Sequence, residues 1–248
     1  MSLTEFQQQR YARHLTLPEL GAAGQAKLLA ARVLLIGVGG LGSPAGFYLA
    51  AAGLGTLGVL DGDVLEASNL QRQIAHTTAD LGLRKVASAQ RAFQALNPDC
   101  HVVASAGRLT TANASQLLAG YDFVVDATDN FDSKFLIADA CHAAGKPYSH
   151  AGILAFFGQT MTVLPGRTAC YRCLFDAPPE SPAGPPRGPV GAVPGVIGSL
   201  QALEAIKFVT GCGELLTNRL LTFDALKTQF RTVAVRRNPR CRLCGGAR

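Results

Sequence analysis

The first pattern in the chain is a stretch without charge, from residue 33 to residue 60. It begins "VLLIGV", and such a continuous apolar run fits a strand buried on both faces better than an alternating, half-exposed one. The stretch is long enough to suggest a membrane span, but eight glycines and Pro44 interrupt it. It reads instead as strand, turn, helix and strand. "RVLLIGV" is the first strand, "GGLGSPAGFYLAAAG" a helix of small residues that can lie close to a sheet, and "LGTLGVLDGD" a second strand ending in acids. "RKVASAQRAFQALN" has helical periodicity and stops at Asn97 and Pro98. "HVVASAG" and "YDFVVDATDN" read as further strands, and "DSKFLIADACHAAG" as a helix with a glycine stop. Strands alternating with helices predict an α/β fold with a doubly wound, Rossmann-like, mostly parallel sheet.

The pattern changes after residue 150. "FGQTMTVLPG" and "LLTFDALKTQFRTVAV" carry β-branched and aromatic residues with partial alternation, which predicts antiparallel strands. Residues 177–195 hold seven of the thirteen prolines and are expected to form a mobile loop. "GVIGSLQALEAIKFVTG" returns to helix, and residues 1–31 read as a polar-faced helical arm centred on "QQQRYARHL". No internal repeat is visible, so residues 1–248 are expected to form a single domain.

Composition narrows the class of protein. Hydrophobic residues make up 48% of 248, enough for a sizeable core. The net charge of +6 suits an anionic ligand or an acidic partner but is too mild to point to nucleic acid. "MSLTEFQQQRYARH" has no apolar signal region, and seven cysteines make an odd set for a disulfide framework. The expectation is a cytoplasmic protein with neither a membrane nor a nucleic-acid partner.

The candidate chemistry begins at Gly37, Gly39, Gly40 and Gly42, between a strand and a helix. Without side chains there, backbone N–H groups can approach phosphate oxygens at a helix N-terminus. Asp61 ends the next strand, where a carboxylate can take ribose hydroxyls. These features fit NAD and ATP equally. "DGDVLEASNLQRQ" then brings Asp61, Asp63, Asn69 and Arg72 together, with Lys85 soon after. Cations beside a pyrophosphate neutralise charge that develops in nucleotidyl transfer, whereas a nicotinamide site has little use for them. Taken singly, each of these cations would be a solvated surface group. Asp126 and Asp129, in "DATDN", are candidates to hold Mg²⁺; Asp129, further out on the turn, is the better one, and Asp126 also fits a strand-end carboxylate.

Two C-x-x-C pairs, Cys170/Cys173 and Cys241/Cys244, supply four thiolates, a natural set for structural zinc. One such pair alone would also fit thiol–disulfide chemistry. Cys100, Cys141 and Cys212 are left over and read as core thiols, and the five histidines show no ligand spacing.

"GVGGLG", "LDGDVLEASNLQRQ", "RKVASAQ", "DATDN", "CYRC", "GVIGSLQALEAIK" and "CRLC" occur in that order. Together they resemble the MoeB/ThiF/HesA family of ubiquitin-activating-like adenylyltransferases, over nearly the whole chain. The resemblance implies that the C-terminal glycine carboxylate of a small ubiquitin-like sulfur carrier, ending in Gly-Gly, attacks the α-phosphate of ATP. Acyl-adenylate and pyrophosphate are the implied products. It places Gly40 on the nucleotide, Asp61 on the ribose, Asn69, Arg72 and Lys85 around the phosphates, and Ser68, Leu70 and Gln71 among the nucleotide-binding residues. It makes Asp129 the Mg²⁺-linked catalytic aspartate with Asn130 beside it, and Cys170, Cys173, Cys241 and Cys244 the zinc ligands. It matches Arg13 to an arginine that enters the partner subunit's site, which implies a functional homodimer.

The resemblance leans toward the molybdopterin branch, with the thiamine pathway as the alternative; an NAD-dependent oxidoreductase and a binding scaffold that has lost catalysis are more distant readings. Family members often carry a cysteine in the loop before "GVIGSLQ", and residues 177–195 contain none. Adenylation is therefore expected without a loop thioester, and sulfur is expected from a separate donor protein. Residues 226–248 carry seven Lys or Arg and no acid, which offers a docking face for an acidic carrier or a solubilising rim around zinc.

Overall fold

The computed structural model describes residues 3–178 and 188–246. Three helices, α1 (Glu5–Arg10), α2 (Ala12–Leu15) and α3 (Gly21–Ala30), lead into β1 (Arg32–Ile36). Then follow α4 (Gly42–Ala51), β2 (Thr56–Asp61), α5 (Lys85–Leu96), β3 (His101–Ala106), α6 (Ala114–Ala119), β4 (Phe123–Asp126) and α7 (Phe131–Ala143). The remainder is β5 (Tyr148–Leu154), β6 (Phe157–Val163), α8 (Tyr171–Leu174), α9 (Ala192–Thr210), β7 (Arg219–Asp224) and β8 (Gln229–Ala234).

All eight strands join one sheet in the order β3-β2-β1-β4-β5-β6-β7-β8. Pairings from β3 through β5 are parallel, and those from β5 through β8 are antiparallel. The strand order therefore reverses between β1 and β4, and a crevice at that point is where open α/β sheets take ligands.

The charge-free run is explained by burial on both sides. Val33 and Leu35 of β1 enter one core with Ala45 and Leu49 of α4, Phe93 of α5 and Ile197 of α9. Leu34 and Ile36 enter the other with Leu118 of α6 and Phe135 and Ile137 of α7. Small residues in α4 allow close packing: a Cβ at Gly46 would lie 2.3 Å from the Phe93 ring. Helix α9 is long and apolar enough to cross a membrane, but it is a core helix here, with Val193, Ile197, Ala202 and Ala205 buried.

The N-terminal helices lie on the body of the protein. A capping box between Thr4 and Gln7 starts α1. Tyr11 and Gln25 are buried; the Asn97 amide donates to the Tyr11 hydroxyl, and Gln25 donates to the Ala52 carbonyl. Arg13 stays exposed, and its guanidinium has no partner among the described residues.

One boundary differs from expectation. Residues 192–195, expected at the end of the Pro/Gly-rich loop, form the first turn of α9. Pro194 is compatible with that turn because a first-turn N–H has no intrahelical partner to lose. The middle of the expected loop, residues 179–187, lies outside the described residues. Strand β5 and helices α6 and α8 were not legible from periodicity, since each is short or nearly continuous in apolar character.

Candidate active site

The turn after β1 is built by close backbone approach. Gly37 has φ +89°, and a Cβ there would lie 2.8 Å from the Ala127 carbonyl oxygen. A Cβ at Gly42 would lie 2.0 Å from the Gly37 oxygen. Glycine is therefore required at both positions, and the first contact brings the β1 turn against the β4 turn at the switch point.

Asp61 is tied to this turn. One carboxylate oxygen accepts the Val38 N–H at 2.9 Å and the other accepts the Asp63 N–H at 2.9 Å. On the other side of the same residue, the His76 Nε2–H donates to the Val38 carbonyl at 3.1 Å, so Nδ1 accepts from the Ser88 hydroxyl at 2.9 Å. Burial, which outweighs the bond to the Val38 carbonyl, holds His76 below the ordinary histidine range and keeps the ring neutral. His76 was not singled out in the sequence, because its role depends on a partner 38 residues away.

The segment after β2 closes over the glycines. Ser68 and Asn69 lie in a short 3₁₀ turn, and the Asn69 side chain accepts the Glu66 N–H. The Arg72 guanidinium donates to the Ser68 carbonyl at 3.0 Å. Cβ atoms built on Gly40 and Gly39 would lie 3.4 Å from Arg72 Cγ and 3.5 Å from Gln73 Nε2. Gln71 reaches the Pro189 carbonyl, while Leu70 is half-buried beside it. The first turn of α9 completes this wall, with Pro194 3.3 Å from the position of a Gly40 Cβ.

Lys85 is 6% exposed, and its ammonium pairs with Asp63 at 3.1 Å. Arg108 takes the other oxygen of the same carboxylate. Burial opposes ionisation of Asp63, but Lys85 and Arg108 prevail and hold its carboxyl below the ordinary range. The sequence named Lys85 without its counter-ion.

The two carboxylates after β4 divide sharply. Asp126 is 1% exposed and saturated: it accepts the Thr128 hydroxyl at 2.6 Å, the Thr128 N–H, Lys134 and His150 Nδ1. Burial pushes against its charge, yet Lys134 and His150 hold it down to about 2. It is a structural anion with no lone pairs turned to a ligand. Asp129 is exposed and, among the described residues, bonded only to the Asn130 amide, at 3.4 Å, so its carboxylate is available to ligate. The Asn130 side-chain oxygen is occupied in capping α7 through the Ser133 N–H.

The four cysteines converge from segments 71 residues apart. Their sulfurs all lie within 4.8 Å of one another. Cys170 and Cys241 are 3.5 Å apart, Cys173 and Cys244 3.3 Å, and Cys170 and Cys173 3.8 Å. A tetrahedron with Zn–S bonds of about 2.3 Å has edges of about 3.8 Å, so the donor set fits zinc. Burial opposes ionisation of Cys241, but the backbone N–H groups of Cys244 and Leu243 hold its thiol at about 7. Cys100 and Cys141 are core thiols as expected, with burial pushing Cys100 up to about 12. Cys212 is not: it is half-exposed and accepts the Thr210 hydroxyl, because it follows the end of α9.

The ThiF family model matches residues 11–243. The SAMP-activating enzyme E1 of Haloferax volcanii is 45% identical over 248 residues, which is 99% of this chain and 92% of that protein. The sulfur carrier protein adenylyltransferase of Thermus thermophilus is 46% identical over 253 residues, with 99% and 93% covered. The adenylyltransferase and sulfurtransferase MOCS3 of Bos taurus is 46% identical, but this chain spans 53% of its length. Among solved structures, Escherichia coli MccB with ATP superposes with a TM-score of 0.81 at 26% identity, covering 95% of this chain and 74% of that one.

Proposed function

The chain belongs to the ThiF family, and we propose that it adenylates the C-terminal carboxylate of a small ubiquitin-like sulfur carrier with ATP. The observation that carries this reading is the meeting of the glycine turn, Asp61 and the free Asp129 carboxylate at the switch point, while Asp126 is locked away. In the reaction a carrier carboxylate oxygen forms a bond to the α-phosphorus, and the bond from that phosphorus to the bridging oxygen breaks. Pyrophosphate leaves with the electron pair. No nucleophile from the enzyme is needed, so the protein's work is alignment and charge neutralisation.

Each residue has a part in that work. Asp61 takes the ribose hydroxyls, and the turn at Gly40 lets the phosphate chain approach backbone N–H groups. Ser68, Asn69, Leu70 and Gln71 form the wall of the cleft. Arg72 and Lys85 meet the negative charge shed onto pyrophosphate, Lys85 by exchanging Asp63 for phosphate oxygens. Asp129 would hold Mg²⁺, whose positive charge would offset that of the phosphate chain. Asn130 fixes the start of α7 and so the base of that turn. The exposed Arg13 acts in the partner's site of a homodimer. Cys170, Cys173, Cys241 and Cys244 hold a structural zinc. Residues 177–195 offer no cysteine for a carrier thioester, and sulfur comes from a separate donor, in the cytoplasm where thiols stay reduced.

Carrier-dependent exchange of labelled pyrophosphate into ATP tests the reading. Exchange that requires a carrier ending in Gly-Gly supports it; absence of exchange with molybdopterin-type and thiamine-type carriers alike would overturn it.

A further inference from the structure

Lys134 stands out among the groups that the reaction does not use. It lies in the first turn of α7, where the helix dipole disfavours a cation, and it is 5% exposed. A lysine in such a place needs strong local partners. It has four: the Thr128 carbonyl at 2.7 Å, the Ala151 carbonyl at 2.5 Å, and the two Asp126 oxygens at 3.4 and 3.5 Å. The Asp126 carboxylate in turn accepts the N–H and hydroxyl of Thr128. Residues 126–128 are thus wrapped around one ammonium group, which also ties them to β5. Asp129 follows immediately. Its backbone is held on one side by the Thr128 carbonyl on Lys134 and on the other by the Asn130 cap on Ser133. Among the described residues its own side chain has one long contact, so the backbone sets its direction.

We infer that Lys134 is a positioning residue of the adenylation site: by clamping the turn that precedes Asp129, it fixes where that carboxylate presents itself to the metal–nucleotide complex. The inference rests on the role proposed above for Asp129. A lysine that merely stapled α7 to β5 would affect stability without touching metal affinity.

The test uses the full chain. Removing Lys134 alone strands a buried carboxylate, so the main variant is Asp126→Asn/Lys134→Met. There the introduced amide oxygen still accepts the Thr128 N–H, and no charge is left unpaired between the two positions. The variant's affinity for Mn²⁺ in the presence of the non-hydrolysable analogue AMPCPP is read by electron paramagnetic resonance, alongside exchange kinetics. Mn²⁺ affinity and kcat are expected to fall about 10- to 100-fold, the usual effect of losing a residue that orients a metal ligand, with KM for the carrier unchanged. Lys134→Arg keeps a buried cation against Asp126 and guards against a folding defect in the first variant. Its bulkier fork displaces the Thr128 carbonyl, and a fall in Mn²⁺ affinity of about threefold is expected. Wild-type Mn²⁺ affinity in whichever of the two variants folds overturns the inference. An Asp129→Ala control separates the levels: if it loses metal affinity and exchange while the Lys134 variants keep both, only the positioning role falls. If Asp129→Ala keeps both, the role of Asp129 falls, and this inference with it.

Discussion

The Asp61 carboxylate and the Val38 N–H are joined at 2.9 Å, so the end of β2 and the glycine turn after β1 form one unit before any nucleotide arrives. Because His76 holds the Val38 carbonyl, a ligand on Asp61 meets a turn that is already fixed at both the N–H and the C=O of one residue. His76→Ala is expected to loosen that turn and raise KM for ATP about tenfold through lost preorganisation, with a smaller effect on kcat. Initial-rate kinetics against ATP check it; an unchanged KM would leave His76 as a core histidine only.

Asp129→Ala should reduce carrier-dependent pyrophosphate exchange by about 100-fold or more, as expected for loss of a group that aligns charge in the transition state. Its carboxylate takes no part in packing, so melting temperature and zinc content should match wild type. Near-normal exchange in this variant would sink the assignment.

Asp126 makes stability depend on acid. Its folded pKa, about 2, lies below the unfolded value, so its contribution is present above pH of about 4 and is lost as pH falls toward 2. The shift corresponds to about 2 kcal/mol. Urea midpoints measured across this window should fall more steeply for wild type than for Asp126→Asn/Lys134→Met; parallel curves would refute this role for the group.

Gly198→Ala probes how closely α9 lies on the glycine turn. The new Cβ would sit 2.2 Å from the Leu41 carbonyl oxygen, a backbone atom that cannot rotate away. A loss of about 1–3 kcal/mol is expected, with weaker ATP binding because the wall beside Gly40 moves. Denaturant unfolding together with ATP titration reads both effects.

Arg13→Ala and Asp129→Ala should complement each other. If Arg13 acts in trans in a homodimer, as proposed, each variant alone would be inactive, while a re-equilibrated one-to-one mixture would contain heterodimers with one intact composite site, giving about a quarter of wild-type exchange. No recovery on mixing would rule out a role in trans.

The residue string by itself determined the parallel strands β1 to β4, the glycine turn and the four thiols. Those features are local demands: apolar runs buried on both faces, backbone approaches that no Cβ survives, and a donor chemistry with few alternative uses. The antiparallel continuation was legible too, through β-branched alternation in β6, β7 and β8. Tertiary structure alone decided what each charge does. Position on the turn already ranks Asp129 above Asp126 in "DATDN", but the saturation of Asp126 arises only when Lys134 and His150 close on it. Likewise Lys85 acquires Asp63, and Pro194 becomes part of α9 and the wall beside Gly40, only when distant segments meet. The physical reason is that burial and pairing set the state of an ionisable group, and both are supplied by neighbours far away along the chain.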